Sequence, residues 1–141
     1  MELEKREKQI DFEAPTNIQF TSGTTGFPKG ATLSHFNILN NSLYMGANLE
    51  VTDQDIICCP LPLYHCFGMV IGNLTGLNYG CPVVLPSEGF DPVATLDSIS
   101  KHKTSVIFGV PTMYIAMVEE LVKNRDKYDV SSLRTGLTGG S

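Results

Sequence analysis

Hydrophobic positions along the chain alternate between two spacings. Short apolar runs recur at 17–22 (NIQFTS, with Ile18 and Phe20 on one face), 55–62 (DIICCPLP), 81–86 (CPVVLP), 105–110 (SVIFGV) and 133–139 (LRTGLTG). Runs this short and mostly non-alternating suit strands buried on both faces, as in a parallel sheet. Between them the spacing turns helical. Ser34 can cap a helix whose apolar positions are Phe36, Leu39, Leu43 and Ala47. Asp91-Pro92 is an N-cap followed by proline at the first helical position, with Val93, Leu96 and Ile99 on one face. Pro111 opens a third helix carrying Tyr114, Met117, Val118, Leu121 and Val122. Strand and helix repeated in this way predict an α/β domain, a mainly parallel sheet flanked by helices.

A fourth helical stretch, 64–79, contains Gly68, Gly72 and Gly76 at every fourth position. Glycine costs about 1 kcal/mol in a helix interior, so three in register need a compensating contact. Close approach to a neighbouring element is the expected one. Polar interruptions argue against a membrane helix, and the apolar region 56–86 is too broken to supply the ~20 residues of a span.

Composition adds limits. The 141 residues carry a net charge of −5, with 42% hydrophobic and 18% charged residues. No basic face is indicated, so nucleic-acid binding is not expected. Cys58, Cys59, Cys66 and Cys81 lack metal-site spacing, even with His65 added. They read as thiols in a reducing intracellular compartment, cytoplasm or mitochondrial matrix. Residues 1–15 form a polar lead-in without the apolar core of a targeting segment.

Ligands of parallel sheets bind at the carboxyl ends of the strands. Four segments follow strand candidates and should gather at one sheet edge: 21–30, 62–67, 109–113 and 139–141. The first, TSGTTGFPKG, holds Thr21, Ser22, Gly23, Thr24, Thr25, Gly26 and Lys29. Its glycines permit an inward-turned backbone whose N–H groups cradle an anion, and its hydroxyls and lysine add donors. A flexible linker is a poorer reading, because structure resumes within a few residues. The Walker-type pattern also fails, since Pro28 precedes the lysine and Gly30 follows it.

The longer stretch FTSGTTGFPKGATLSH resembles the phosphate-loop signature of the adenylate-forming (AMP-binding) enzymes, closest to medium- and long-chain fatty acyl-CoA synthetases. PLYHCFGM (62–69), GVPTMY (109–114) and LRTGLTGGS (133–141) continue the resemblance in order and spacing. The family fold implies that the loop joins two strands as a hairpin, with 29–33 returning. Residues 16–141 would then be part of an AMP-binding domain, ending at the adenine-side glycine motif.

The resemblance implies an ATP-dependent acyl-CoA synthetase: fatty acid, ATP and CoA give acyl-CoA, AMP and pyrophosphate through an acyl-adenylate. ATP would contact Thr21 to Gly26, Lys29, Gly139, Gly140 and Ser141. His65 would orient the carboxylate or line the thiol path, although a helix-start histidine with a local hydrogen bond is the simpler reading of that residue alone. Phe67, Met69, Gly109 and Met113 would border the acyl chain. Arg134-Thr135-Gly136 imitates the family's ribose motif, but Leu137 replaces its aspartate. The ribose aspartate, the acidic residue for Mg²⁺ and the adenylating lysine are expected elsewhere in a longer enzyme. Partners are therefore the rest of that enzyme, with self-association expected where sheet faces are uncovered. A nucleotide-binding or interaction module without catalysis is the alternative.

Overall fold

The computed structural model describes residues 2–21 and 26–140. The chain forms two compact units, Met1–Asn41 and Ser42–Ser141.

The first unit opens with a short helix, α1 (Glu2–Glu7). A hairpin follows, β1 (Pro15–Thr21) and β2 (Lys29–Ser34), paired antiparallel with Thr21 opposite Lys29. The return strand implied by the family resemblance is thus present. The first apolar run departs from the parallel pattern expected of it. It pairs only with β2 among the described strands, and Ile18 and Phe20 are exposed. Their shared face meets Gly30, where an added Cβ would lie 3.0 Å from Ile18. Helix α2 (His35–Asn48) begins at the expected cap: the Asn37 N–H donates to Ser34 Oγ at 3.3 Å.

The second unit holds a four-stranded parallel sheet of order β4-β3-β5-β6. Its strands are β3 (Ile57–Cys58), β4 (Val83–Val84), β5 (Val106–Gly109) and β6 (Thr135–Thr138). Period-two geometry divides their side chains. Ile57, Cys59, Val106 and Phe108 enter one apolar cluster, while Cys58 and Ile107 enter another with Leu96, Ile99 and Met117. The second cluster lies under α4 (Pro92–His102) and α5 (Pro111–Lys123). Asp91 caps α4 as expected, accepting from the Ala94 N–H at 2.9 Å. Burial pushes the Cys58 thiol up to about 12.

The first cluster is covered by the glycine-striped helix. It starts at Phe67, later than expected, and is π-helical through Leu74 before continuing as α3 (Thr75–Tyr79). The three glycines do allow close approach. An added Cβ would lie 2.4 Å from the Pro62 carbonyl oxygen at Gly68, 2.3 Å from Cys59 Sγ at Gly72 and 2.2 Å from a Val83 methyl at Gly76. Gly72→Ala should therefore overpack the site and cost about 1–3 kcal/mol, measured as a lowered urea midpoint.

The faces of two helices differ from the periodic expectation. Phe36, Leu39 and Leu43 of α2 are exposed, whereas Ser42 and Gly46 are buried. The reason is a polar, close contact with α3. Asn78 donates to Ser42 Oγ, Thr75 to the Ser42 carbonyl, and the Tyr79 ring occupies the space above Gly46. In α5 only the Met117 side meets the sheet, and Val118 and Val122 stay exposed.

Candidate functional site

The connection after β3 crosses the first-cluster face to reach β4, and the connection after β5 crosses the opposite face to reach β6. Adjacent parallel strands whose connections diverge in this way leave a crevice beyond their carboxyl ends. A cavity of about 380 Å³ lies there. Three segments line it: Leu61 to Gly68 after β3, Val110 and Met113 after β5, and Gly139 and Gly140 after β6.

His65, Phe67, Met113, Gly139 and Gly140, each singled out in the sequence, are brought together in this cavity. The Phe67 ring stacks obliquely on Phe108, with centroids 6.4 Å apart, and faces Gly139. Gly140 adopts φ +79°, which glycine takes without strain. Val110 also lines the wall, and its signal was only its place one residue beyond a strand end.

Met69 and Gly109 do not line the cavity. Met69 lies two residues from Phe67, roughly half a helical turn away. Gly109 gives its open side to another contact: an added Cβ would lie 3.1 Å from the Tyr114 ring.

His65 is held from below. The Phe67 N–H donates to its Nδ1 at 3.0 Å, and the Cys66 thiol lies 3.8 Å from the same nitrogen. The local hydrogen bond of a helix-start histidine is thus real, and it uses one ring nitrogen only. With Nδ1 accepting, the neutral ring carries its proton on Nε2.

The hairpin of the first unit carries the remaining candidate residues. Register places Thr21 opposite Lys29, so both stand where the loop leaves the strands. Gly26 adopts φ +85° with open space around its α-carbon. Ser22, Gly23, Thr24, Thr25 and Ser141 lie outside the described residues. Among the described residues no three His, Cys, Asp or Glu side chains converge to hold a metal.

Arg134 is not part of either site. It grips Asp55 at the opposite, amino-terminal ends of the strands.

A family model described as AMP-binding enzyme matches residues 2–141. The chain belongs to the AMP-binding enzyme family. It is 45% identical over 140 residues to the putative acyl-CoA synthetase YngI of Bacillus subtilis, covering 99% of this chain and 25% of that protein. It is 46% identical over 142 residues to the mitochondrial medium-chain acyl-CoA ligase ACSF2 of Danio rerio, covering 99% and 23%. The O-succinylbenzoate coenzyme A synthetase MenE from Bacillus subtilis, solved with ATP and magnesium ion, superposes with a TM-score of 0.79 at 33% identity. That match covers 92% of this chain and 26% of MenE. The chain spans about a quarter of the length of the curated relatives it matches. Membership of this family agrees with the parallel α/β architecture. No helix among the described residues is long and apolar enough to cross a membrane.

Proposed function

We propose that this chain is the part of an ATP-dependent acyl-CoA synthetase that supplies the ATP phosphate loop and a portion of the acyl pocket. The observation that carries the reading is the convergence of His65, Phe67, Met113, Gly139 and Gly140, from three distant segments, on one cavity at the sheet's carboxyl edge. The names of the relatives point the same way, since they are acyl-CoA ligases or synthetases.

In this reading the first half-reaction joins a fatty carboxylate to the α-phosphate of ATP. The new C–O–P linkage forms as the bond to pyrophosphate breaks. Both reactants are anionic, so donors aimed at the phosphates lower the barrier. Thr21, Gly26 and Lys29, with Ser22 to Thr25 between them, take the β- and γ-phosphates. His65 Nε2–H donates to the substrate carboxylate and holds it for attack. Phe67 and Met113 border the acyl chain, and Gly139 and Gly140 leave room for the nucleotide. CoA thiol then takes the acyl group and releases AMP.

The domain division follows: residues 16–141 belong to the AMP-binding domain and 1–15 lead into it. The remainder of the protein supplies what this chain lacks, including the Mg²⁺ ligand. The exposed Ile115, Val118 and Val122 support a partner surface on α5, filled by that remainder or by self-association. Buried, unpaired Cys58, Cys59 and Cys81 suit a reducing compartment.

The test uses the full-length protein and separates the half-reactions. His65→Ala should lower carboxylate-dependent pyrophosphate exchange about tenfold or more, the scale of one charge-assisted donor. Binding of ATP alone, read by calorimetry, should persist. A variant with normal exchange for every fatty acid length would remove His65 from the reaction. A parent protein that binds ATP without any carboxylate-dependent exchange would favour the non-catalytic module.

A further inference from the structure

The first turn of α5 sends two neighbouring side chains to different places. Met113 enters the cavity, while Tyr114 turns beneath β5 and β6. The Tyr114 hydroxyl lies 3.1 Å from the Ile107 carbonyl oxygen and 3.0 Å from that of Leu137, one on each strand. Two glycines make room for it. An added Cβ would lie 3.1 Å from the Tyr114 ring at Gly109 and 3.4 Å from its hydroxyl at Gly136. No partner strand flanks β6 on its other side among the described residues. The β5–β6 register ends with Gly109 opposite Thr138, and past it the Gly139 N–H donates to the Gly109 carbonyl at 3.3 Å. The phenol therefore braces the end of an edge strand two residues before the glycines that line the cavity.

We infer that Tyr114 is a positioning residue whose hydroxyl fixes the Gly139–Gly140 turn against the His65 and Met113 wall. The inference rests on the acyl-CoA synthetase reading for what the cavity holds. It does not rest on it for the brace itself. Tyr114 touches no cavity ligand, because its hydroxyl is spent on the two strands. Its ring fills the space over Gly109 and Gly136, so phenylalanine keeps the packing and removes only the hydroxyl. Burial pushes the phenol up to about 12, which keeps it a donor at neutral pH.

The experiment compares Tyr114→Phe with the parent in the full-length protein. A Met117→Ala variant on the same helix serves as a control for stability alone. Tyr114→Phe should lower kcat of carboxylate-dependent pyrophosphate exchange about 5- to 10-fold, the worth of one hydrogen bond. Amide hydrogen exchange at 137–140 should quicken by a similar factor, with 57–58 unchanged. Met117→Ala should lose more thermal stability yet keep kcat near the parent value at low temperature. A Tyr114→Phe kcat within twofold of the parent overturns the inference, whatever the exchange shows. If the parent itself has no exchange activity, the proposed function falls instead. The amide rates then decide the positioning role, and unchanged rates at 137–140 overturn it.

Discussion

Replacing Arg134 with alanine is expected to remove roughly 2–4 kcal/mol of stability, the scale for breaking a buried ion pair from one side. Asp55 is 4% exposed. Its carboxylate accepts from Arg134 Nε at 2.8 Å and Nη2 at 2.6 Å, from Ser105 Oγ at 2.6 Å and from the Thr52 N–H at 2.8 Å. The same guanidinium donates to the carbonyls of Leu49 and Glu50, just past the end of α2. One side chain thus ties β6, the approach to β3 and a helix terminus. The loss falls short of the fully buried extreme because the Arg134 side chain is 39% exposed. Lysine should restore little, since it lacks the planar fork.

A pH dependence accompanies this. The Arg134 guanidinium holds the Asp55 carboxyl well below the usual carboxylate range, against the opposing effect of burial. The folded-state value is the lower one, so the contribution is present above the unfolded value of ~3.9 and fades as pH falls below it. Urea midpoints of the parent should drop steeply from about pH 4 downward. Those of Arg134→Ala should change less over the same window. Equal midpoints for parent and variant at neutral pH would show that the pair adds no net stability.

Lys29→Ala in the full-length protein should lower kcat/KM for ATP in adenylate formation about 10- to 150-fold. That corresponds to the ~1.5–3 kcal/mol of a hydrogen bond to a charged group. Lys29 is exposed at the start of β2, opposite Thr21, where an extended side chain can follow a phosphate without being locked in a core. Thioester formation from a pre-made acyl-adenylate should be nearly unchanged, because pyrophosphate has already left. Measuring both half-reactions separates this role from a folding defect, which would lower them together. A negligible change in both would make Lys29 an ordinary solvated loop residue.

The parts of the site that were legible in the sequence are those with local causes. Gly26 has a positive φ within a loop whose glycines permit one. Ser34 and Asp91 cap helices through bonds to N–H groups three residues on. His65 sits at a helix start because proline and glycine bracket it. The strand ends could be read from the apolar runs, and with them three of the four segments expected to gather, those that meet in the cavity. Met69 and Gly109, which the family resemblance implied, do not line the cavity. A motif shows that a residue lies in the right segment, but not which way a π-helical turn or a packed tyrosine directs it.

The sequence by itself determined the order of strands and helices in the second unit, from spacing, caps and turn chemistry that act over a few residues. Its longer motifs carried the resemblance to the AMP-binding enzymes, and with it the return strand β2. Tertiary structure decided the rest. It placed the first apolar run in a hairpin rather than the parallel sheet. It buried Ser42 and Gly46 of α2 instead of Phe36, Leu39 and Leu43, because a small, polar surface fits under Tyr79 and Asn78. It joined Arg134 to Asp55 across 79 positions, and it set Tyr114 between two strands. Each depends on which surfaces meet, and no local pattern records the shape of the partner.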